Sequence, residues 1–135
     1  AALMLMLYGG LGVILGHNYP FYLHFKGGKG VAATAGILCA FWDWRILVIC
    51  ILAFTLPIAL TRYVSLGSLT VETVLLILWL LWGRELVPTL SGPCYTEATV
   101  IMILIVLQAF WRHRSNIGRL IHGNENKLGE KKKEG

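Results

Sequence analysis

The sequence predicts an all-α, multi-pass transmembrane helical bundle of about five membrane segments, and three observations lead there. Apolar residues make up 56% of the 135 positions and the mean hydropathy is +0.67, above the roughly 45–50% apolar content of soluble domains. They come in long blocks, not in alternating or one-sided stripes, as helices facing lipid on most sides require. Charge is nearly absent from those blocks. Asp43 and Arg45 are the only charged residues between Val31 and Thr61, Glu72 is the only one between Ser65 and Gly83, and Ala98 to Trp111 has none.

The elements follow in order. Segment A, Ala1–Gly16, carries Gly9, Gly10 and Gly12, which suit close helix packing in a bilayer. It starts with no basic flank and no initiator methionine, so it reads as the inside of a membrane helix in a longer protein and not as a secretory signal. Segment B, about Val31–Phe41, is short against the ~20 residues of a full crossing. Trp42-Asp43-Trp44-Arg45 reads as an interfacial turn. Segment C is Ile46–Leu60 with Pro57 near its end, D is about Ser65–Trp82, and E about Ala98–Trp111. Between D and E the breakers Pro88, Gly92 and Pro93 predict a loop over Gly83–Glu97. The domain is expected to span residues 1–122, and Gly123–Gly135 to form a polar, lysine-rich, mobile tail.

Alternating crossings place Lys26, Lys29, Arg62, Arg112, Arg114, Arg119, Lys127 and Lys131–Lys133 on one side and only Arg45 and Arg84 on the other. Ten against two marks the first side as cytoplasmic. Nucleic-acid binding is a poor explanation for the net charge of +5, because it needs an accessible basic face on a soluble scaffold. Cys39, Cys50 and Cys94 show neither metal-type spacing nor a disulfide framework, and no metal or cofactor is implied. The oligomeric state leaves no signal.

Three motifs fall on the basic side. Gly16-His17-Asn18-Tyr19-Pro20 runs into Phe25-Lys26-Gly27-Gly28-Lys29-Gly30. Glycines let backbone amides approach a ligand, two lysines add charge, and the N-terminus of segment B follows at once. Such a loop makes an anion cradle suited to phosphate. It is not a nucleotide-binding P-loop, since Leu23 stands where a Gly is needed and Gly30 where a Ser or Thr is needed. The bland alternative is a basic loop that only enforces topology. If segment E continues as one helix through Arg112-His113-Arg114-Ser115-Asn116-Ile117-Gly118-Arg119, then Arg112, Asn116 and Arg119 share a face bordered by His113. That face suits a second oxyanion, with Glu125 close behind; its bland alternative is a stop-transfer cluster. In Thr61-Arg62-Tyr63-Val64-Ser65, Arg62 is a further cation, while Ser65 serves equally well as a polar neighbour or as the N-cap of segment D. Glu72, a lone acid inside an apolar segment, invites a functional reading, though a structural role is favoured.

The blocks Gly16–Pro20, Phe25–Thr34, Thr61–Ser68 and Arg112–Lys127 together resemble the bacterial acyl-phosphate-dependent glycerol-3-phosphate acyltransferases, the PlsY family. The resemblance covers essentially the whole chain apart from the lysine tail. It departs slightly at Ala33 and more largely in an absence: the family's earlier G-S-x-N-x-G-A-T-N motif has no counterpart before segment A, so the chain alone is expected to lack turnover. The resemblance implies transfer of a fatty acyl group from acyl phosphate to glycerol 3-phosphate, giving lysophosphatidic acid in the membrane. It implies Lys26, Gly27, Gly28, Lys29 and Gly30 on one substrate phosphate, with His17 and Asn18 orienting the acceptor and Gly16 in support. Arg112, His113, Asn116 and Arg119 would hold the other phosphate and the developing oxyanion, with Arg62 as a further phosphate ligand and Ser65 and Glu125 in support. The His-x4-Asp pair of other glycerolipid acyltransferases is missing, so the general base stays open between a side chain and a substrate phosphate. A small helical transporter or lipid-binding scaffold with a phosphate pocket would share the composition, and turnover is what separates them.

Overall fold

The computed structural model describes residues 2–20, 29, 31–40, 43–90 and 92–130, apart from the side chains of residues 38–40. Among the described residues six helices follow one another: α1 (Ala2–Asn18), α2 (Val31–Ala40), α3 (Trp44–Thr61), α4 (Val64–Leu86), α5 (Pro93–Arg112) and α6 (Arg114–Ile121). Helices α3, α4 and α5 are each long and apolar enough to cross a bilayer, and α1 is a slightly shorter apolar helix. The chain is thus an all-α, multi-pass membrane protein. Leu47, Val48, Ile51, Leu52, Leu56 and Leu60 stand exposed along α3, which only a lipid environment makes tolerable.

Every expected segment is present, with shifted ends. α1 runs two residues past Gly16, so His17 and Asn18 lie on its last turn and not in a loop. α4 extends to Leu86 and α5 begins at Pro93, which shortens the expected Gly83–Glu97 loop to residues 87–92. The reason is local. Pro93 fits the first helical position, where an amide hydrogen would be unpaired anyway, and Gly92 supplies the left-handed φ of 54° before it. The N-cap of α4 is Tyr63, so Ser65 lies inside the first turn and its hydroxyl serves elsewhere. α5 and α6 are separate helices that break at His113, so the expected continuous helix is not formed.

The core lies among α1, α4 and α5, where Leu7, Ile14, Leu75, Trp79, Met102 and Ile105 are buried together. α3 and α4 form a tight hairpin. At Gly67 a Cβ would come within 2.5 Å of the Phe54 carbonyl oxygen, so the two backbones approach more closely than any side chain permits. Arg62 closes this hairpin at φ 63°, its amide donating to the Ile58 carbonyl. Tyr8 bonds Glu97 and Arg112 stacks on Tyr19, so α1 and α5 run parallel. Trp79 bonds Thr99 and Arg84 lies over the Tyr95 ring, so α4 and α5 run antiparallel.

α2, with 10 residues, spans about 15 Å, half of a hydrocarbon core. The chain has nevertheless reached the opposite end by Asp43, because Trp44 and Arg45 share a recess with Trp82 and Glu85 at the far end of α4. The bundle therefore has two polar ends. Asn18, Lys29, Arg62, His113 and the segment after α6 gather at one, and Asp43–Arg45 and residues 87–92 at the other.

Candidate functional site

Glu125 is the hub of the basic end. Its Oε2 accepts from Ser65 Oγ at 3.1 Å and from Asn116 Nδ2 at 2.9 Å. Its Oε1 accepts from Arg119 Nε at 3.1 Å and from the Asn126 amide at 2.9 Å. Three parts of the chain are thereby drawn together: the start of α4, helix α6 and the turn after it. A fourth joins when Lys29 Nζ donates to Asn116 Oδ1. Burial opposes ionisation of Glu125, but the Asn126 amide and the Asn116, Arg119 and Ser65 donors outweigh it and hold the carboxyl below its usual range. The hub is an anion already neutralised by its own neighbours.

His113 is 1% exposed at the break between α5 and α6. Its Nδ1 lies 2.8 Å from the Ala109 carbonyl oxygen. A carbonyl can only accept, so Nδ1 carries the hydrogen and Nε2 of the neutral ring keeps its lone pair. Burial pulls the imidazole below its ordinary pKa; the Ala109 carbonyl opposes this in part, and Lys29 adds to it. Burial likewise lowers Lys29, Glu125 works against that, and the Arg119 and Arg112 charges reinforce it. The break in the helix has a consequence for the site: it turns α6 so that Asn116 and Arg119 face Lys29 and Glu125.

A cavity of about 1100 Å³ opens from this cluster. Lys29, Ser65, His113, Asn116, Arg119 and Glu125 form its polar end. The rest is walled by apolar side chains of α2, α3 and α4, among them Val31, Leu47, Ile51, Phe54 and Val71. Along α3 the lining runs from Thr55 to Leu47, about 12 Å of helix. Residues 126–130 cover one flank. They are strapped to the α3–α4 turn by a two-way backbone contact: the Leu128 amide donates to the Arg62 carbonyl at 2.7 Å, and the Arg62 guanidinium donates back to the Leu128 carbonyl. Lys127 lies over the Tyr63 ring. The stretch expected to be a mobile tail is thus, through residue 130, part of the wall.

Of the residues singled out from sequence, Lys29, Ser65, His113, Asn116, Arg119 and Glu125 meet around one cavity, so the two basic motifs build a single polar cluster. Arg112, on the last turn of α5, stacks on Tyr19 beside it, 5.1 Å from the ring centroid, and its charge bears on Lys29 and His113. Arg62 directs two guanidinium nitrogens to Leu128. His17 and Gly16 are exposed on the last turn of α1, away from the cavity lining. Asn18 is fully buried, and neither of its amide atoms finds a partner among the described residues. Lys26, Gly27, Gly28 and Gly30 lie outside the described residues. Sequence reasoning missed Thr34, Ser68 and the Asn126–Gly129 wall. The one signal for that wall was Gly129, whose φ of 83° suits a turn tight enough to pack on Arg62.

Residues 1–123 match the family described as glycerol-3-phosphate acyltransferase. A curated glycerol-3-phosphate acyltransferase of Shouchella clausii is 43% identical over 122 residues, covering 90% of this chain and 56% of its own length. One from Thermus thermophilus is 40% identical over 124 residues, covering 87% and 54%. The chain therefore spans about half the length of the curated relatives it matches. Two crystal structures of PlsY, an integral membrane glycerol 3-phosphate acyltransferase, superpose with a TM-score of 0.75. The lysophosphatidic acid form is 31% identical, covering 91% of this chain and 57% of its own, and the glycerol 3-phosphate form is 32% identical, covering 91% and 56%. With residues 1–123 matched to its model and a superposable fold, the chain belongs to the glycerol-3-phosphate acyltransferase family.

Proposed function

We propose that the protein moves a fatty acyl group from an acyl phosphate to a hydroxyl of glycerol 3-phosphate, releasing inorganic phosphate and leaving lysophosphatidic acid in the membrane. One observation carries the reading: a single cavity is cationic and hydrogen-bonding at one end and apolar along the rest. Both substrates carry phosphate, which calls for cations that donate hydrogen bonds. One also carries an acyl chain, which calls for a groove within the helices.

In this reading Lys29 and Arg119 hold substrate phosphate, Asn116 aligns Lys29, and Glu125 fixes Asn116 and Arg119 without claiming the whole positive charge. The flanking Lys26–Gly30 loop extends the cradle, Arg62 and Arg112 lend charge from its margins, and His17 and Asn18 border the acceptor's approach. The hydroxyl oxygen attacks the acyl carbonyl carbon, the carbon–oxygen bond to phosphate breaks, and phosphate leaves with the electron pair. The hydroxyl proton passes to His113 Nε2 or to the departing phosphate. The positive-inside rule assigns the basic end to the cytoplasm; residues 1–122 then form the membrane domain in a bacterial inner or plasma membrane.

The test is phosphate release from acyl phosphate by the purified full-length protein that carries this chain, with and without glycerol 3-phosphate, alongside detection of lysophosphatidic acid. Acceptor-dependent release supports the reading. Saturable binding or flux with no turnover would leave a transporter or scaffold in its place.

A further inference from the structure

Glu72 lies in the membrane-spanning α4, 0% exposed. A carboxyl at that depth is costly and calls for a reason. Neither of its oxygens has a full hydrogen-bond partner among the described residues. Polar groups that act on it are the Thr34 hydroxyl of α2 and, through its charge, the Cys50 thiol of α3. Thr34 itself is 3% exposed on α2.

α2 is short and packs chiefly on α1. Among its described side chains only Thr34 and Ile37 are buried. Ile37 is seated on α1, where its side chain fills the space a Cβ at Gly10 would need, at 2.6 Å. That contact fixes one side of α2. Thr34, three residues earlier and so on nearly the same face, is the hold towards α4. Lys29 precedes α2 by two residues, and its amine must meet Asn116 on a different helix. A ten-residue helix packed chiefly on one neighbour can still roll on it, and the lysine would move with it. A second, polar hold near its N-terminal end removes that freedom.

We propose that Glu72 is a positioning residue: through Thr34 it fixes the height and rotation of α2, and so keeps Lys29 opposite Asn116. Glu72 touches no substrate in this account. It lies one turn further along α4 than Ser68, while Thr34 and Ser68 line the cavity. The proposal rests on the acyltransferase reading only for its kinetic consequence.

The experiment has two independent readouts on the full protein in detergent or bilayer: hydrogen exchange of the α2 amides, and KM for glycerol 3-phosphate. Thr34→Val keeps the shape of residue 34 and removes its hydroxyl. It is expected to speed exchange across residues 31–37 by about tenfold, with α4 and α5 unchanged. It should raise the acceptor KM by about tenfold with a smaller change in kcat. Glu72→Leu should do the same, and the double variant should be no worse than either single one. Glu72→Gln, which still offers a donor and an acceptor, should restore both readouts. If Glu72→Leu unfolds the bundle, Thr34→Val with Glu72→Gln decides the matter. Unchanged exchange in Thr34→Val, or a Glu72→Gln variant as impaired as Glu72→Leu, overturns the proposal. So does faster exchange with an unchanged KM in an active enzyme. Faster exchange in a protein that shows no turnover at all leaves the hold on α2 standing and removes the acyltransferase reading instead.

Discussion

Lys29 Nζ donates to Asn116 Oδ1 across 87 positions of sequence. The bond brings the start of α2 to helix α6 and makes the two basic motifs one site. The same Asn116 offers its amide hydrogens to Glu125, so it faces a cation with its oxygen and an anion with its nitrogen. Such a residue sets orientation more than charge.

Lys29→Ala should weaken use of glycerol 3-phosphate. A charge-assisted phosphate contact is worth roughly 1.5–3 kcal/mol, so kcat/KM for the acceptor should fall about ten- to a hundredfold. Asn116→Ala should cost less than additively on top of it, since the two residues act as a pair. Steady-state kinetics of the single and double variants check this. Wild-type acceptor kinetics in Lys29→Ala would falsify the cradle assignment.

Stability should fall at acid pH through Glu125. Its folded pKa is held below the unfolded value, so its contribution is complete above about pH 4.5 and is lost as pH falls through the folded value. Thermal unfolding in detergent between pH 7 and 3 should show that loss. Glu125→Gln should flatten the acid limb, and at pH 7 it should cost about 1.5–3 kcal/mol for the charged hydrogen bonds removed.

His113 contributes in the same direction at higher pH. Its folded pKa is also lowered, so the unfolded chain takes up the proton first and stability declines as pH drops below about 6.5. If Nε2 accepts the hydroxyl proton, kcat should show an acid limb at a pH below that value. His113→Gln should abolish the limb and lower kcat by about a hundredfold. A proton taken by the leaving phosphate would leave kcat nearly intact in His113→Gln.

Cys94 and Asn124 should face opposite aqueous phases. Both are exposed, at opposite ends of the bundle. With Cys39 and Cys50 replaced and Asn124→Cys introduced, an impermeant thiol reagent applied to intact cells should label position 94 but not 124. Labelling of both from outside would refute the orientation drawn from the ten-to-two charge bias.

Gly67→Ala should destabilise the α3–α4 hairpin. The added carbon would fall 2.5 Å from the Phe54 carbonyl oxygen, and backbone must move to admit it. A cost of about 1–3 kcal/mol is expected, read as a lower unfolding midpoint, and Gly36→Ala, with open space at its Cβ, should show no such loss.

What the sequence determined by itself was whatever depends on composition and local order. Blocks of apolar residues fix α1 to α5, because a segment in lipid must satisfy its backbone internally whatever its neighbours are. Lys29, His113, Asn116, Arg119 and Glu125 were legible because charge and amide groups beside membrane helices have few bland explanations when they come together. The tertiary structure decided which of them meet. The break at His113 puts Arg112 on α5 and Asn116 and Arg119 on α6, and local periodicity cannot foresee a break that depends on a buried ring bonding the Ala109 carbonyl. Glu125 became a hub only once Ser65, 60 positions earlier, was folded beside it. Residues 126–130 read as a solvated tail because polar side chains alone carry no record of a partner; the Arg62 backbone, which turns them into a cavity wall, is supplied by a distant hairpin.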